Sequence, residues 1–178
     1  MKTYCFYATE WGDGALLFNE KRLARLLFPS ESAAEIRAEL DERFEQYKHV
    51  QDEDYGLIST LAGYFGGERV VFDVEVDFGQ LGGFERAVLN ELRGLAYGST
   101  IGYKALATEC GSPRAARAVG NALAKNPVPI VVPCHRVLRS DGLIGGWSGL
   151  PGWKERLLEL EGITLGDGNR VRAKELPG

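Results

Sequence analysis

The chain has 178 residues, 44% hydrophobic and 26% charged, with a formal net charge of −4. That is the balance of an ordinary globular protein with room for one well-cored domain or two small ones. No apolar run of about 18 residues is present, which predicts no membrane partner, and Met1-Lys2-Thr3-Tyr4 lacks the regions of a signal peptide, which predicts a cytosolic or nuclear protein.

Residues 2–7 and 14–18 are apolar, β-prone runs, and Gly12-Asp13-Gly14 between them predicts a hairpin turning at those glycines. Ser32-Ala33-Ala34-Glu35 has capping-box spacing. Ile36, Leu40, Phe44 and Tyr47 follow at helical intervals, which predicts an amphipathic helix over 33–48, ended by Gln51-Asp52-Glu53-Asp54. A short helix over 55–65 and an alternating strand from Val70 to Phe78 complete a small acidic α/β domain, residues 1–80. Gly79-Gln80-Leu81-Gly82-Gly83 reads as a linker.

Residues 81–178 then form a second, mainly helical domain, so the fold class is α/β in the broad α+β sense. Phe84, Val88, Leu92 and Leu95 give one helical stripe that Gly98 closes. A short helix over 101–110, a turn at Gly111, and a second helix with Ser112 as cap and Pro113 at its first position predict a helix-turn-helix. That pattern is either a plain αα-hairpin or a DNA-binding one.

Asn126-Pro127-Val128-Pro129-Ile130-Val131-Val132-Pro133-Cys134-His135-Arg136-Val137 carries three prolines that stiffen it. Ile130-Val131-Val132 reads as a short buried strand that aims the thiol of Cys134. A glycine-rich loop follows at Gly145-Gly146-Trp147-Ser148-Gly149. Trp153, Leu157 and Leu160 mark a final helix over 151–161, stopped by Gly162, and 163–178 reads as a polar surface tail.

Charge is unevenly spread. Residues 1–80 hold 8 Lys and Arg against 16 Asp and Glu, whereas 103–139 hold Lys104, Arg114, Arg117, Lys125, Arg136 and Arg139 against Glu109 alone. A local positive field of this kind attracts phosphates under an acidic average. Cys5, Cys110 and Cys134 are odd in number and far apart, which argues against a disulfide framework. With His49 and His135 as the only histidines, no zinc set is expected.

Cys134 reads either as a small buried apolar residue or as a nucleophile whose thiol, with a free pKa of about 8.5, is activated by a neighbouring base or positive charge. Its neighbour His135 would be that base, acting directly or through a water.

Taken together, Arg117-Ala118-Val119-Gly120, Asn126-Pro127-Val128-Pro129-Ile130, Pro133-Cys134-His135-Arg136-Val137 and Ser148-Gly149 resemble the O6-alkylguanine-DNA alkyltransferase family, firmly over 84–165 and weakly over 1–80. The resemblance implies irreversible, single-turnover transfer of a methyl or larger alkyl group from O6 of guanine in double-stranded DNA to Cys134, with no cofactor. It implies that His135 generates the thiolate through a water, that Glu161 orients His135, and that Tyr103 donates to the leaving guanine. Arg117 would fill the gap left by a flipped nucleotide or contact a phosphate. Ala115, Ala116, Ala118 and Gly120 would let the second helix approach the minor groove, with Lys104 and Arg114 beside them.

Asn126, Val137, Trp147 and Ser148 would build the pocket, the backbone carbonyls of Cys134 and Val137 and the N–H of Ser148 reading the guanine edges. A monomer associated with nucleoid or nucleus is expected. Two departures are visible: Trp147 stands where the family usually has tyrosine, and Gly102 where it usually has serine before Tyr103. Cys5 lacks the partners of the zinc site that some members carry. The competing classes are a non-catalytic lesion-binding module, against which Cys134 argues, and a cysteine hydrolase or thiol peroxidase, against which the helix-turn-helix and local basic charge argue.

Overall fold

The structure, a computed structural model, describes residues 1–51, 55–147 and 149–171. The chain divides into two compact units, Met1–Gly79 and Gln80–Gly178, and the architecture is mixed α+β.

The first unit is built on strands β1 (Lys2–Thr9), β2 (Gly12–Asn19) and β3 (Arg22–Ser30), helix α1 (Ala33–Arg43), the two-residue strand β4 (Lys48–His49) and helix α2 (Leu57–Phe65). The sheet order is β3-β2-β1-β4, with β1 antiparallel to β2, β2 antiparallel to β3 and β4 parallel to β1. Burying the central strand on both faces is why Ala15-Leu16-Leu17-Phe18 is apolar without alternation. Ala15 and Leu17 pack with Ile36 and Leu40 of α1, while Tyr55 lies edge-on to Phe18 on the other face.

The predicted hairpin forms, but it turns at Glu10-Trp11. Gly12 and Gly14 lie inside β2, where a Cβ on Gly14 would come within 2.3 Å of the Tyr7 ring. Strand β3 went unpredicted, because its turn residues Glu20 and Lys21 take φ of 49° and 73°, conformations ordinarily signalled by Asn-Gly. Helix α1 ends at Arg43, short of 48, and Phe44 and Tyr47 continue the apolar face from outside it. The Ser32 side chain makes no cap, and Glu35 instead accepts from the Ser30 hydroxyl at 2.5 Å. Most of the run expected to end that helix, 52–54, lies outside the described residues.

Residues 70–78 keep the alternating exposure of a strand without forming one, and Val76 is bridged to edge-strand residue Leu23 by two backbone bonds of 2.8 Å.

In the second unit, α3 (Gly83–Arg93), α4 (Tyr103–Glu109) and α5 (Ala116–Ala124) pack around Val88, Leu89, Leu92, Leu106, Val119 and Leu123. Helix α3 stops at Arg93, so Leu95 lies beyond it and Gly98 belongs to the following turn. Helix α5 starts three residues later than predicted. Ser112-Pro113-Arg114-Ala115 forms a β-turn closed by the Ala115 N–H on the Ser112 carbonyl at 2.8 Å, the turn position that proline's fixed φ suits.

Strand β5 (Ile101–Gly102) runs parallel to β6 (Val137–Leu138), and this short ladder ties the start of α4 to the segment that follows Cys134. Helix α6 (Trp153–Leu160) ends in a Schellman motif: the N–H groups of Gly162, at φ +83°, and Ile163 bond the carbonyls of Glu159 and Leu158. Over 163–171 the expected polar tail is instead a hairpin of β7 (Leu165–Gly166) and β8 (Arg170–Val171), and Ile163 and Val171 bury against Leu138, Ile144 and Leu158, while the rest of that tail, 172–178, lies outside the described residues.

Candidate active site

The predicted strand at Ile130-Val131-Val132 does not form. Val128 to Val132 closes a turn through the Val132 N–H on the Val128 carbonyl at 2.9 Å, with Ile130, 1% exposed, at φ +75°. A β-branched residue in that region is strained and is held there by burial. The turn delivers Cys134 into a single 3₁₀ turn, Cys134–Arg136, directly before β6.

The Asn126 side chain fastens this turn at three points. Its Nδ2 donates to the Val132 carbonyl at 2.8 Å and to Cys134 Sγ at 3.2 Å, and its Oδ1 accepts the Val128 N–H at 3.1 Å. On the other side of the sulfur, Trp147 Nε1 donates at 3.1 Å. The thiol is 3% exposed, and its pKa lies above the ordinary value, not below it as the sequence suggested. Burial outweighs the two N–H donors and the charge of Lys154, so the thiol needs a base to lose its proton.

His135, next in sequence, is fully buried. Helix α6 and its Schellman motif carry Glu161 to the helix end, 5% exposed, where Oε1 meets His135 Nε2 at 2.7 Å. The same carboxylate takes Arg136 Nε at 2.8 Å, Arg136 Nη2 at 2.9 Å and the Gly98 N–H at 3.1 Å. Burial opposes ionisation of Glu161, but His135 and the Arg136 guanidinium outweigh it and hold the carboxyl well below its usual range. A carboxylate only accepts, so Nε2 carries the proton. Burial, which dominates, and Arg136 keep the imidazole neutral, leaving Nδ1 as the basic nitrogen.

Arg136 is therefore no part of a surface charge patch. Lys125 and Arg139 are exposed but paired with Glu85 and Asp141. Lys104, Arg114 and Arg117 are exposed with no ion pair among the described residues.

Lys154, overlooked in the sequence, is 2% exposed and donates to the Val137 carbonyl at 2.8 Å and the Ile144 carbonyl at 2.5 Å. Its face of α6 was legible: Lys154, Leu157, Leu158 and Glu161 fall at helical spacing, and all four are buried. Burial lowers the Lys154 pKa from 10.5 to about 8, against an opposing pull from Cys134. Between those values the unfolded chain binds more protons than the folded one, so this group makes stability rise with pH across that window. Lys154→Met should flatten that rise in denaturant midpoints measured from neutral to alkaline pH and make the Cys134 thiol less acidic.

A cavity of about 230 Å³ opens onto the thiol, lined by Tyr103, Gly120, Leu123, Cys134, Gly146 and Trp147. Tyr103 begins α4 after the extended Gly102, and burial, then proximity to Cys134, raises its pKa, so its hydroxyl stays protonated. Gly120 faces Tyr103, with a Cβ there 3.8 Å from the ring. Arg117 and Ala118 are exposed on α5, Ala116 is half-buried at its first position, and Arg114 and Ala115 precede it. Val137 is buried in β6. Ser148 lies outside the described residues. Among the described residues, no group of three or more His, Cys, Asp or Glu could hold a metal, and no helix is long and apolar enough to cross a membrane.

A family model described as 6-O-methylguanine DNA methyltransferase, DNA binding domain, matches residues 83–163. A methylated-DNA–protein-cysteine methyltransferase from Methanothermobacter thermautotrophicus is 43% identical over 111 residues, 61% of this chain and 61% of that protein. The chain thus spans about three-fifths of that relative's length. The protein of the same name from Salmonella typhimurium is 42% identical over 125 residues, 69% of this chain and 72% of that one. A crystal structure of Mycobacterium tuberculosis OGT in complex with DNA matches with a TM-score of 0.74 at 33% identity, over 89% of this chain and 92% of that chain. On that identity and coverage, the chain belongs to the methylated-DNA–protein-cysteine methyltransferase family.

Proposed function

We propose that this protein repairs DNA by moving a methyl or larger alkyl group from O6 of guanine to Sγ of Cys134, once per molecule. The observation that carries this reading is the buried thiol facing a cavity, followed in sequence by the neutral His135 that Glu161 holds by Nε2. His135 Nδ1 takes the thiol proton through a water. The thiolate then attacks the alkyl carbon, the S–C bond forming as the C–O6 bond breaks. The electron pair leaves with guanine, whose developing negative charge needs a positioned donor; the Tyr103 hydroxyl, on the cavity wall, supplies the proton. The thioether does not revert, and no cofactor takes part.

A thiol this buried reaches a base only if the nucleotide leaves the duplex. Arg117, exposed on α5, suits the gap so formed, and the small residues Ala115, Ala116 and Ala118 suit close approach to the minor groove. We assign DNA binding and alkyl acceptance to residues 81–178 of a monomer, with Asn126, Val137, Trp147 and Ser148 around the base and residues 1–80 as a separate acidic domain.

With Lys104, Arg114 and Arg117 as the phosphate contacts, binding to undamaged duplex should weaken with a log–log salt slope of about −2.7, roughly forty-fold between about 50 and 200 mM salt. Fluorescence anisotropy measures this, and affinity indifferent to salt would contradict it. Nucleoside analysis of a duplex carrying one O6-methylguanine tests the reaction itself. One guanine restored per protein supports it. A lesion bound but unchanged points to a non-catalytic binding module, and many turnovers per protein to an ordinary enzyme.

A further inference from the structure

Cys134 Sγ sits between N–H donors from two separate segments, Asn126 in the turn after α5 and Trp147 in the glycine-rich loop, at 3.2 and 3.1 Å. An indole N–H only donates, and a bond to a charged acceptor is about twice as strong as one to a neutral acceptor. This N–H therefore favours thiolate over thiol. Its weight is greater because the sulfur is buried: the burial that raises the thiol pKa also strengthens each remaining hydrogen bond. Packing seats the ring: a Cβ on Gly149 would come within 2.3 Å of the indole Cζ3, so glycine leaves the space the ring occupies. Trp147 is half-buried and forms part of the same cavity wall as Tyr103.

We propose that Trp147 is a catalytic residue, its indole N–H, seated on Gly149, stabilising the Cys134 thiolate that attacks the alkyl carbon. After transfer the sulfur is a thioether, a weak acceptor, so the contact favours the reactive form over the spent one. The assignment rests on the alkyl-transfer reading for its purpose, but its test does not need DNA.

The whole chain is treated with iodoacetamide across a pH series. The S–C bond forms, iodide leaves and the thiol proton goes to solvent. Peptide mass scores Cys134 apart from Cys5 and Cys110. Trp147→Phe keeps an aromatic ring and removes the donor. It should move the midpoint of Cys134 reactivity up by about one pH unit, or about tenfold slower reaction below the midpoint. Gly149→Ala keeps the indole but displaces it, and should shift the midpoint in the same direction. An unchanged midpoint in Trp147→Phe, with circular dichroism matching the parent, overturns the assignment. A parallel reaction with an O6-methylguanine duplex separates the two readings. No transfer by the parent, with the tryptophan-dependent shift intact, overturns the repair reading alone. Transfer by the parent with no shift in Trp147→Phe overturns the role of Trp147 alone.

Discussion

Glu161→Ala should cost the folded state about 3–5 kcal/mol, the range for breaking a buried ion pair by removing one partner. One carboxylate accepts from His135, twice from Arg136 and once from Gly98. Without it the buried guanidinium of Arg136 keeps, among the described residues, the Leu95 carbonyl at 2.5 Å and the face of the Tyr97 ring. Glu161→Gln separates structure from chemistry. It keeps the shape and one acceptor, so less stability should be lost. It removes the negative charge that supports a proton on His135, so the imidazole becomes a weaker base. Since a positioned base contributes about 10²–10⁴ in rate, single-turnover transfer should fall by about 100-fold or more. Guanidinium chloride unfolding and single-turnover kinetics on both variants make the comparison. Full transfer by Glu161→Gln would remove His135 from the reaction as drawn.

Asn126→Asp should be nearly as damaging to the chemistry by a different route. The aspartate still accepts the Val128 N–H, but its second oxygen faces the Val132 carbonyl and the Cys134 sulfur, where Nδ2 donated. Losing a donor to a buried acceptor costs about 1–3 kcal/mol. A negative charge beside the sulfur also raises the thiol pKa, by about 1–3 units for a close like charge. The group already has a raised pKa, so the rate profile should move further alkaline and transfer near neutrality fall by roughly 10- to 1,000-fold. Asn126→Ala loses the bonds without adding the charge, and should retain more activity than Asn126→Asp. Equal rates in the two would mean that the amide acts by holding the turn, with no electrostatic share.

What the sequence disclosed depended on whether a residue's surroundings leave a mark on its own neighbours in the chain. Cys134-His135 between proline and arginine was plain, as was the helix pair after Gly98, because spacing and composition are local properties. Burial of a charged residue is not. Arg136 counted toward the local positive field and Lys154 was passed over until α6 and the 3₁₀ turn brought them against Glu161 and the Val137 carbonyl, although the helical register of Lys154 with Leu158 and Glu161 was a usable sign. Ile130 was misread for the converse reason: Ile-Val-Val has strand propensity, and burial with the Asn126 bonds overrode it to place φ at +75°. Strand β3 was lost because Glu20-Lys21 takes left-handed φ with neither Asn nor Gly. Nothing in the local sequence separates residues 165–171 from a tail; only the burial of Ile163 and Val171 does.

The central claim is that Cys134 is the alkyl acceptor, and intact-protein mass tests it most directly. The protein is mixed with a duplex carrying one O6-methylguanine, beside a Cys134→Ala control. The account predicts a gain of one CH2 unit, saturating at one per molecule, located on the Cys134 peptide and absent from the control. An unchanged mass with the lesion intact, or a gain that persists in Cys134→Ala, would contradict it.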